Sequence, residues 1–245
     1  MTKFRMLLTG LCLLATVAAK AAQKSDSFTT PGGKTVVINH IKHSSVHIEY
    51  KDLHFYIDPV GTTIEPKTDV SLLPKANFIL VTHEHGDHYD PMALPQMWTP
   101  STAFYANEVV ISKSYRGVAL HNGDSIIFSP DIKIYAVPAY NTTEGREKFH
   151  PKGRDNGYIL QLDGLRIYIA GDTEDIPEME NLKDIDIAFL PCNQPYTMTI
   201  DQLEKAARTI QPKVLFPYHY SETPINQVRL RLAGSGIDVR IRDYK

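Results

Sequence analysis

Three apolar runs of this sequence each end on a side chain able to bind a metal. Residues 78–82 run into His83, residues 165–171 into Asp172 and residues 213–218 into His219. A fourth run, residues 53–57, ends at Asp58. Side chains this far apart along a chain meet only if their strands lie side by side with those ends at one sheet edge. The chain is therefore expected to build its functional pocket from strand ends.

The remaining pattern agrees with a sheet-based fold. β-Branched and apolar runs at residues 35–41, 46–50 and 53–57 read as consecutive strands of a meander. Further strands are expected at residues 78–82, 103–106, 125–128, 132–137, 157–162, 165–170, 185–190, 214–217 and 237–241, with Gly164 turning a hairpin. Helices come late. Residues 199–210 place Ile200, Leu203, Ala207 and Ile210 on one face with Thr199 as N-cap, and residues 224–233 read as a second helix behind Thr223 and Pro224. Strands interleaved with amphipathic helices predict a layered α/β domain over residues 35–245.

The N-terminus departs from this pattern. Lys3 and Arg5 precede an apolar run of about 14 residues, short of the roughly 20 that span a bilayer, and Ala19-Lys20-Ala21 offers small residues for cleavage. Residues 1–21 thus read as a secretory signal peptide, with residues 22–34 a polar tail and the mature protein secreted or periplasmic without a transmembrane anchor. Cleavage removes Lys3, Arg5 and Lys20 from the 26 basic residues. The mature chain then carries 23 basic against 28 acidic residues, net −5, which disfavours a nucleic-acid partner needing a broad basic surface. Cys12 leaves with the signal, so Cys192 has no disulfide partner and reads as a buried thiol.

The densest chemistry is His83-Glu84-His85-Gly86-Asp87-His88, where Gly86 allows a sharp turn on which successive side chains converge. This cluster resembles the motif of the metallo-β-lactamase superfamily, and the resemblance covers residues 35–241. Within the superfamily the chain looks most like the branch of ascorbate-lactone hydrolases and the phosphodiesterase acting on N-acyl phosphatidylethanolamines, through residues 41–49, from Ile41-Lys-His43 to Glu49, and through Tyr56-Ile-Asp58-Pro59, Gly171-Asp172-Thr173 and Pro217-Tyr-His219-Tyr220.

The resemblance implies an αββα sandwich with two mixed sheets and a dinuclear centre. His83 and His85 would hold a first ion, Asp87, His88 and His219 a second, with Asp172 bridging; Zn²⁺ suits these donors, and so do Mn²⁺ and Fe. Asp58 would orient a ligand histidine, and His43 stands where relatives carry a pocket-facing histidine. One position departs from the pattern: after Val137-Pro138-Ala139 relatives have a histidine where this chain has Asn141, and His150 is the nearest replacement. Tyr140, Tyr196, Tyr218 and Tyr220 are candidates to polarise a substrate oxygen, whereas His40, His47, His54 and His121 match nothing in the pattern.

The implied chemistry is hydrolysis of an ester, lactone or phosphodiester in a small-molecule or lipid-like substrate by metal-bound hydroxide, with catalytic roles for Asp87, His150 and His43. Asp172 stands where lactam-cleaving members usually have cysteine or serine, which disfavours lactam cleavage. An iron-dependent oxidoreductase and a non-catalytic metal-binding protein are the alternatives.

Overall fold

The computed structural model describes residues 25–244, and the expected signal peptide lies outside them. Two seven-stranded sheets face each other. The first runs in chain order: β1 (Ser25–Thr29), β2 (Thr35–Lys42), β3 (Ser45–Tyr50), β4 (Leu53–Ile57), β5 (Phe78–Val81), β6 (Ala103–Ala106) and β7 (Val118–Ala119). Its first four strands are an antiparallel meander, and β4 to β7 are parallel. The second comprises β8 (Ser125–Ser129), β9 (Ile132–Ala139), β10 (Asp155–Leu162), β11 (Leu165–Ile169), β12 (Ile187–Pro191), β13 (Val214–Tyr218) and β14 (Asp238–Val239). It repeats the plan, with β8 to β11 antiparallel and β11 to β14 parallel.

Strand composition follows position. The alternating burial of β2 marks one face in the core, while β5, β12 and β13 are buried throughout, as parallel strands covered on both faces must be. Ile38, Ile48, Phe55 and Leu80 meet Ile134, Tyr158, Leu160 and Ile169 in one core cluster. That cluster reaches through the second sheet to α3 (Ile200–Ile210), whose Leu203, Ala206, Ala207 and Ile210 are buried. Thr199 and Gln202 close a capping box at its start. A second cluster covers the outer face of the first sheet with α1 (Leu94–Met97) and α2 (Glu108–Ser114). The result is an αββα sandwich. Among the described residues no helix is long and apolar enough to cross a membrane.

Two expectations are corrected. Part of the stretch read as a tail is β1, paired along its whole length with β2, and Asp26 is gripped by Arg240, Arg242 and His40. Its polar composition fits an edge strand whose alternate residues are half-buried. The second helix shrinks to α4 (Asn226–Arg231), because Ile225, Gln227 and Val228 close tight turns onto Thr223, Pro224 and Ile225, so Thr223 does not cap it. The short helices α1 and α2 carry no long periodic pattern to read; α2 starts on Asn107, whose side chain accepts from the Val110 N–H.

Candidate metal centre

The centre is organised from beneath by a buried carboxylate. β4 leads into Asp58, whose N–H donates to the Leu80 carbonyl at 2.9 Å, locking it beside the end of β5. One oxygen of Asp58 accepts the Thr82 N–H at 2.7 Å, and the other accepts the Thr82 hydroxyl and His88 Nδ1 at 2.8 Å each. This fixes the His88 tautomer and aims Nε2 inward, where that buried nitrogen has no hydrogen-bond partner among the described residues. His83 Nδ1 lies 3.0 Å from the Thr82 hydroxyl, which likewise turns its Nε2 toward the centre.

Beyond Thr82 the chain coils tightly, with the His88 and Tyr89 N–H groups both donating to the His85 carbonyl. His83, His85, Asp87 and His88 face the centre from this one turn. Glu84 leaves it to pair with Arg154 at 3.3 Å. Asp90, just past the cluster, is also structural: it accepts the N–H groups of Gly61, Thr62, Met92 and Ala93.

The second sheet closes the site. After β11, Gly171 adopts φ 66° and lies so near Asn156 and Thr82 that a Cβ there would stand 2.9 Å from the Asn156 carbonyl oxygen. Only glycine passes at this point without displacing backbone. Asp172 thereby enters between the two histidine groups. Its Oδ2 lies 3.4 Å from His150 Nε2, 3.4 Å from His219 Nε2 and 4.0 Å from His83 Nε2, while Oδ1 lies 3.3 Å from His88 Nε2.

Two groups of donors flank Asp172. In the first, His85 Nδ1 is 3.0 Å from His83 Nε2 and 3.3 Å from His150 Nε2. In the second, Asp87 Oδ2 lies 3.1 Å from His43 Nε2, 3.2 Å from His219 Nε2 and 3.9 Å from His88 Nε2. His83, His85 and His150 form one set able to hold an ion; His43, Asp87, His88 and His219 form another. His150, 65 residues from His85 in sequence, thus sits with the first group. Its Nδ1 faces the Tyr196 carbonyl at 3.2 Å, which leaves Nε2 directed at the centre. The Asn141 side-chain amide donates to the Tyr196 and Arg146 carbonyls, and its backbone N–H donates to the His150 carbonyl at 2.9 Å. Asn141 helps to fold the loop that delivers His150.

The electrostatics suit a cation. Burial pushes the Asp172 carboxyl up, but the imidazoles of His219, His88 and His150 outweigh it and hold the group well below the usual carboxylate range. Asp87 is held low in the same way, against its own burial, by His88 and by hydrogen bonds from His219 and His43. Burial holds His83 well below its ordinary value and lowers His150 to about 4, so both rings keep free lone pairs at neutral pH. His88 goes the other way: the carboxylates of Asp172, Asp87 and Asp58 outweigh its burial and favour positive charge there. His88 Nε2 and Asp172 Oδ1 are both buried and, among the described residues, without hydrogen-bond partners, so this nitrogen and this oxygen fit the role of metal ligands.

Among the described residues, two cavities border the donor groups. One of about 390 Å³ is lined by His85, Asp87, Phe149, His150, Asp172, Asn193 and Tyr196. The other, about 370 Å³, lies beyond His43 and includes Lys42, Tyr220 and Tyr244. Of the tyrosines considered, only Tyr196 lines the first. Tyr140 donates to Glu178, Tyr218 accepts the Gly171 N–H, and Tyr220 donates to the Arg242 carbonyl. Cys192 is free and buried, its thiol pushed up to about 12 by burial. Sequence reasoning missed Thr82, adjacent to the motif, and Glu174, which grips the N–H groups of Thr142 and Thr143 at the start of the His150 loop.

Comparison with known proteins agrees with this fold. The family described as a Beta-lactamase superfamily domain matches residues 37–219. A UPF0173 metal-dependent hydrolase of Bacillus pumilus is 31% identical over 199 residues, covering 74% of this chain and 84% of the relative. One of Nanoarchaeum equitans is 29% identical over 194 residues, covering 77% and 85%. A crystal structure from Parabacteroides distasonis superposes with TM-score 0.87 at 53% identity, covering 91% of this chain and 100% of that one. A metallo hydrolase from Ignicoccus hospitalis shares the fold, with TM-score 0.70 at 24% identity over 85% of this chain and 95% of that one. The chain belongs to the β-lactamase superfamily and, within it, to the UPF0173 family of metal-dependent hydrolases.

Proposed function

We propose that this protein hydrolyses a neutral carbonyl substrate, an ester or lactone, at a dinuclear zinc centre. The observation that carries the reading is the placement of Asp172 between two histidine-rich donor groups at the floor of the first cavity. His83, His85 and His150 would hold one ion and Asp87, His88 and His219 the other, with Asp172 shared. Bound there, the ions would supply Lewis acidity, lowering the pKa of water toward neutrality and polarising the carbonyl to be attacked.

The chain's own groups supply the rest. Asp87, ionised and partly open to the cavity, orients the attacking water and carries its proton to the leaving group. His43, at hydrogen-bonding distance from Asp87, holds that carboxylate in place. Phe149 and Tyr196, packed edge to face with ring centroids 5.0 Å apart, form an aromatic wall for an apolar acyl group. Asn193 adds a neutral polar contact. A lactone also fits the likeness to ascorbate-lactone hydrolases. A phosphodiester is the weaker reading, because Lys42, in the second cavity, directs its ammonium at the Ile64 and Pro66 carbonyls.

Treatment with a chelator is expected to abolish hydrolysis of a panel of esters, lactones and phosphodiesters, and Zn²⁺ or Mn²⁺ to restore it, with lactones and esters the better substrates. Activity that survives complete metal removal would overturn the proposal. Export follows from the reading of residues 1–21 as a signal peptide, and N-terminal sequencing of the mature protein, expected to begin at Ala22, tests it.

A further inference from the structure

The outer face of the first sheet carries a second group of metal-capable side chains that the reaction does not use. His47 and Glu49 are two residues apart on β3 and so share a face; His54 on β4 stands directly opposite Glu49. One nitrogen of each ring and a Glu49 oxygen lie within 4.8 Å of one another. His47 Nε2 and His54 Nδ1 are 3.0 Å apart, and His47 Nδ1 is 3.8 Å from Glu49 Oε1.

The cluster is held firmly. The His47 ring stacks on Tyr56, with centroids 4.3 Å apart and planes 6° apart. The Asn39 side-chain amide donates to Glu49 at 2.6 Å and lies 3.3 Å from His47 Nδ1. His54 is pinned through its backbone, donating to the Asn77 side chain and accepting from the Asn77 N–H, at 2.9 Å each. His47 is buried, whereas Glu49 and His54 are half-exposed, and a cavity of about 410 Å³ opens beside His47 and Glu49. Two imidazoles and a carboxylate on adjacent strands, with room for water, make a three-donor set suited to a zinc-class ion.

We propose that His47, Glu49 and His54 form a separate divalent-metal site that ties β3 to β4. Binding needs the proton between the two rings to move to the other nitrogen of its own ring, so that both facing nitrogens offer lone pairs to an ion placed across the hairpin, with water completing its coordination. An ion here would tie the two strands together without touching substrate, so its effect falls on stability and not on turnover.

The test is Zn²⁺ binding by the full-length holoenzyme, counted as bound zinc per chain after gel filtration, for wild type, Glu49→Gln and His54→Ala. The wild type is expected to carry one more zinc than either variant, while all three hydrolyse substrate at the same rate. Added Zn²⁺ should raise the Tm of the wild-type holoenzyme and leave that of both variants unmoved, by linkage of binding to folding. Equal zinc counts in the three proteins overturn the proposal. So does a Tm response that survives in both variants. Because the readout is a difference at fixed catalytic loading, it stands or falls apart from the reading of the main centre.

Discussion

The two sheets follow one plan and use it differently. In each, four antiparallel strands are followed by three parallel ones, and corresponding connections arrive at the same edge. The loop between the second and third strands brings His43 in the first sheet and His150 in the second. The fourth strand leads to Asp58 in one and to Asp172 in the other. Asp58 is enclosed by Thr82 and His88 and orients them; Asp172, carried two residues further by Ala170 and Gly171, reaches the donors themselves. The same topological position therefore yields a supporting acid or a central one, according to how far the chain runs before it turns.

The largest expected effect comes from breaking that pair at its centre. Asp172→Asn removes the one negative charge shared by both donor groups. Loss of several kcal/mol of charge stabilisation should lower kcat/KM by about 10³-fold or more and reduce bound metal, measured by turnover and metal content. A smaller loss than that of Asp58→Asn would reverse the assignment of the two aspartates.

Next in size is the histidine pair. His150→Ala should lose one ion and more than about 100-fold in activity, above the range for residues that only orient ligands. Asn141→Ala should keep both ions, and so should His43→Ala, with its defect confined to turnover through misplacement of Asp87. Two ions in the His150 variant would remove it from the first group. Asp58→Asn follows, with an expected loss of about 10–100-fold in activity or metal affinity and an unchanged fold by circular dichroism.

The asymmetry between the sheets also explains what the sequence disclosed. The first sheet delivers His83, His85, Asp87 and His88 through one turn, so local spacing alone exposes them. The second delivers His150, Asp172 and His219 through three connections, and their meeting depends on how strands pack. Asp172 and His219 were legible because each follows an apolar run. His150 lies in a 15-residue loop, 140–154, whose path is set by Glu174 and Asn141, contacts that no local pattern encodes. Strands were legible nearly throughout because burial imposes alternation or continuous apolarity. β1 was not, since an edge strand can keep a polar face, and α2 was not, since seven residues starting Glu108-Val-Val-Ile have no helical period.

The smallest expected effect compares a histidine from each half in chelator-treated protein. Burial lowers His47 on the first sheet and His150 beside the second to about 4 each, from an ordinary value of 6.5. Each ring stays neutral in the folded chain down to about pH 4 but takes up a proton near pH 6.5 when the chain unfolds. Below pH 6.5 the unfolded state binds more protons, so the stability held above that pH is lost as pH falls from 6.5 toward 4. Each group contributes on the order of 3 kcal/mol to that loss at most. Thermal melts in chelator at pH 7.5 and 4.5 should therefore show a smaller acid-induced drop in Tm for His47→Gln and for His150→Gln than for the wild type. A drop relieved in His150→Gln alone would mean that the His47 ring opens to solvent before the chain unfolds, and that acid sensitivity belongs to the half that carries Asp172.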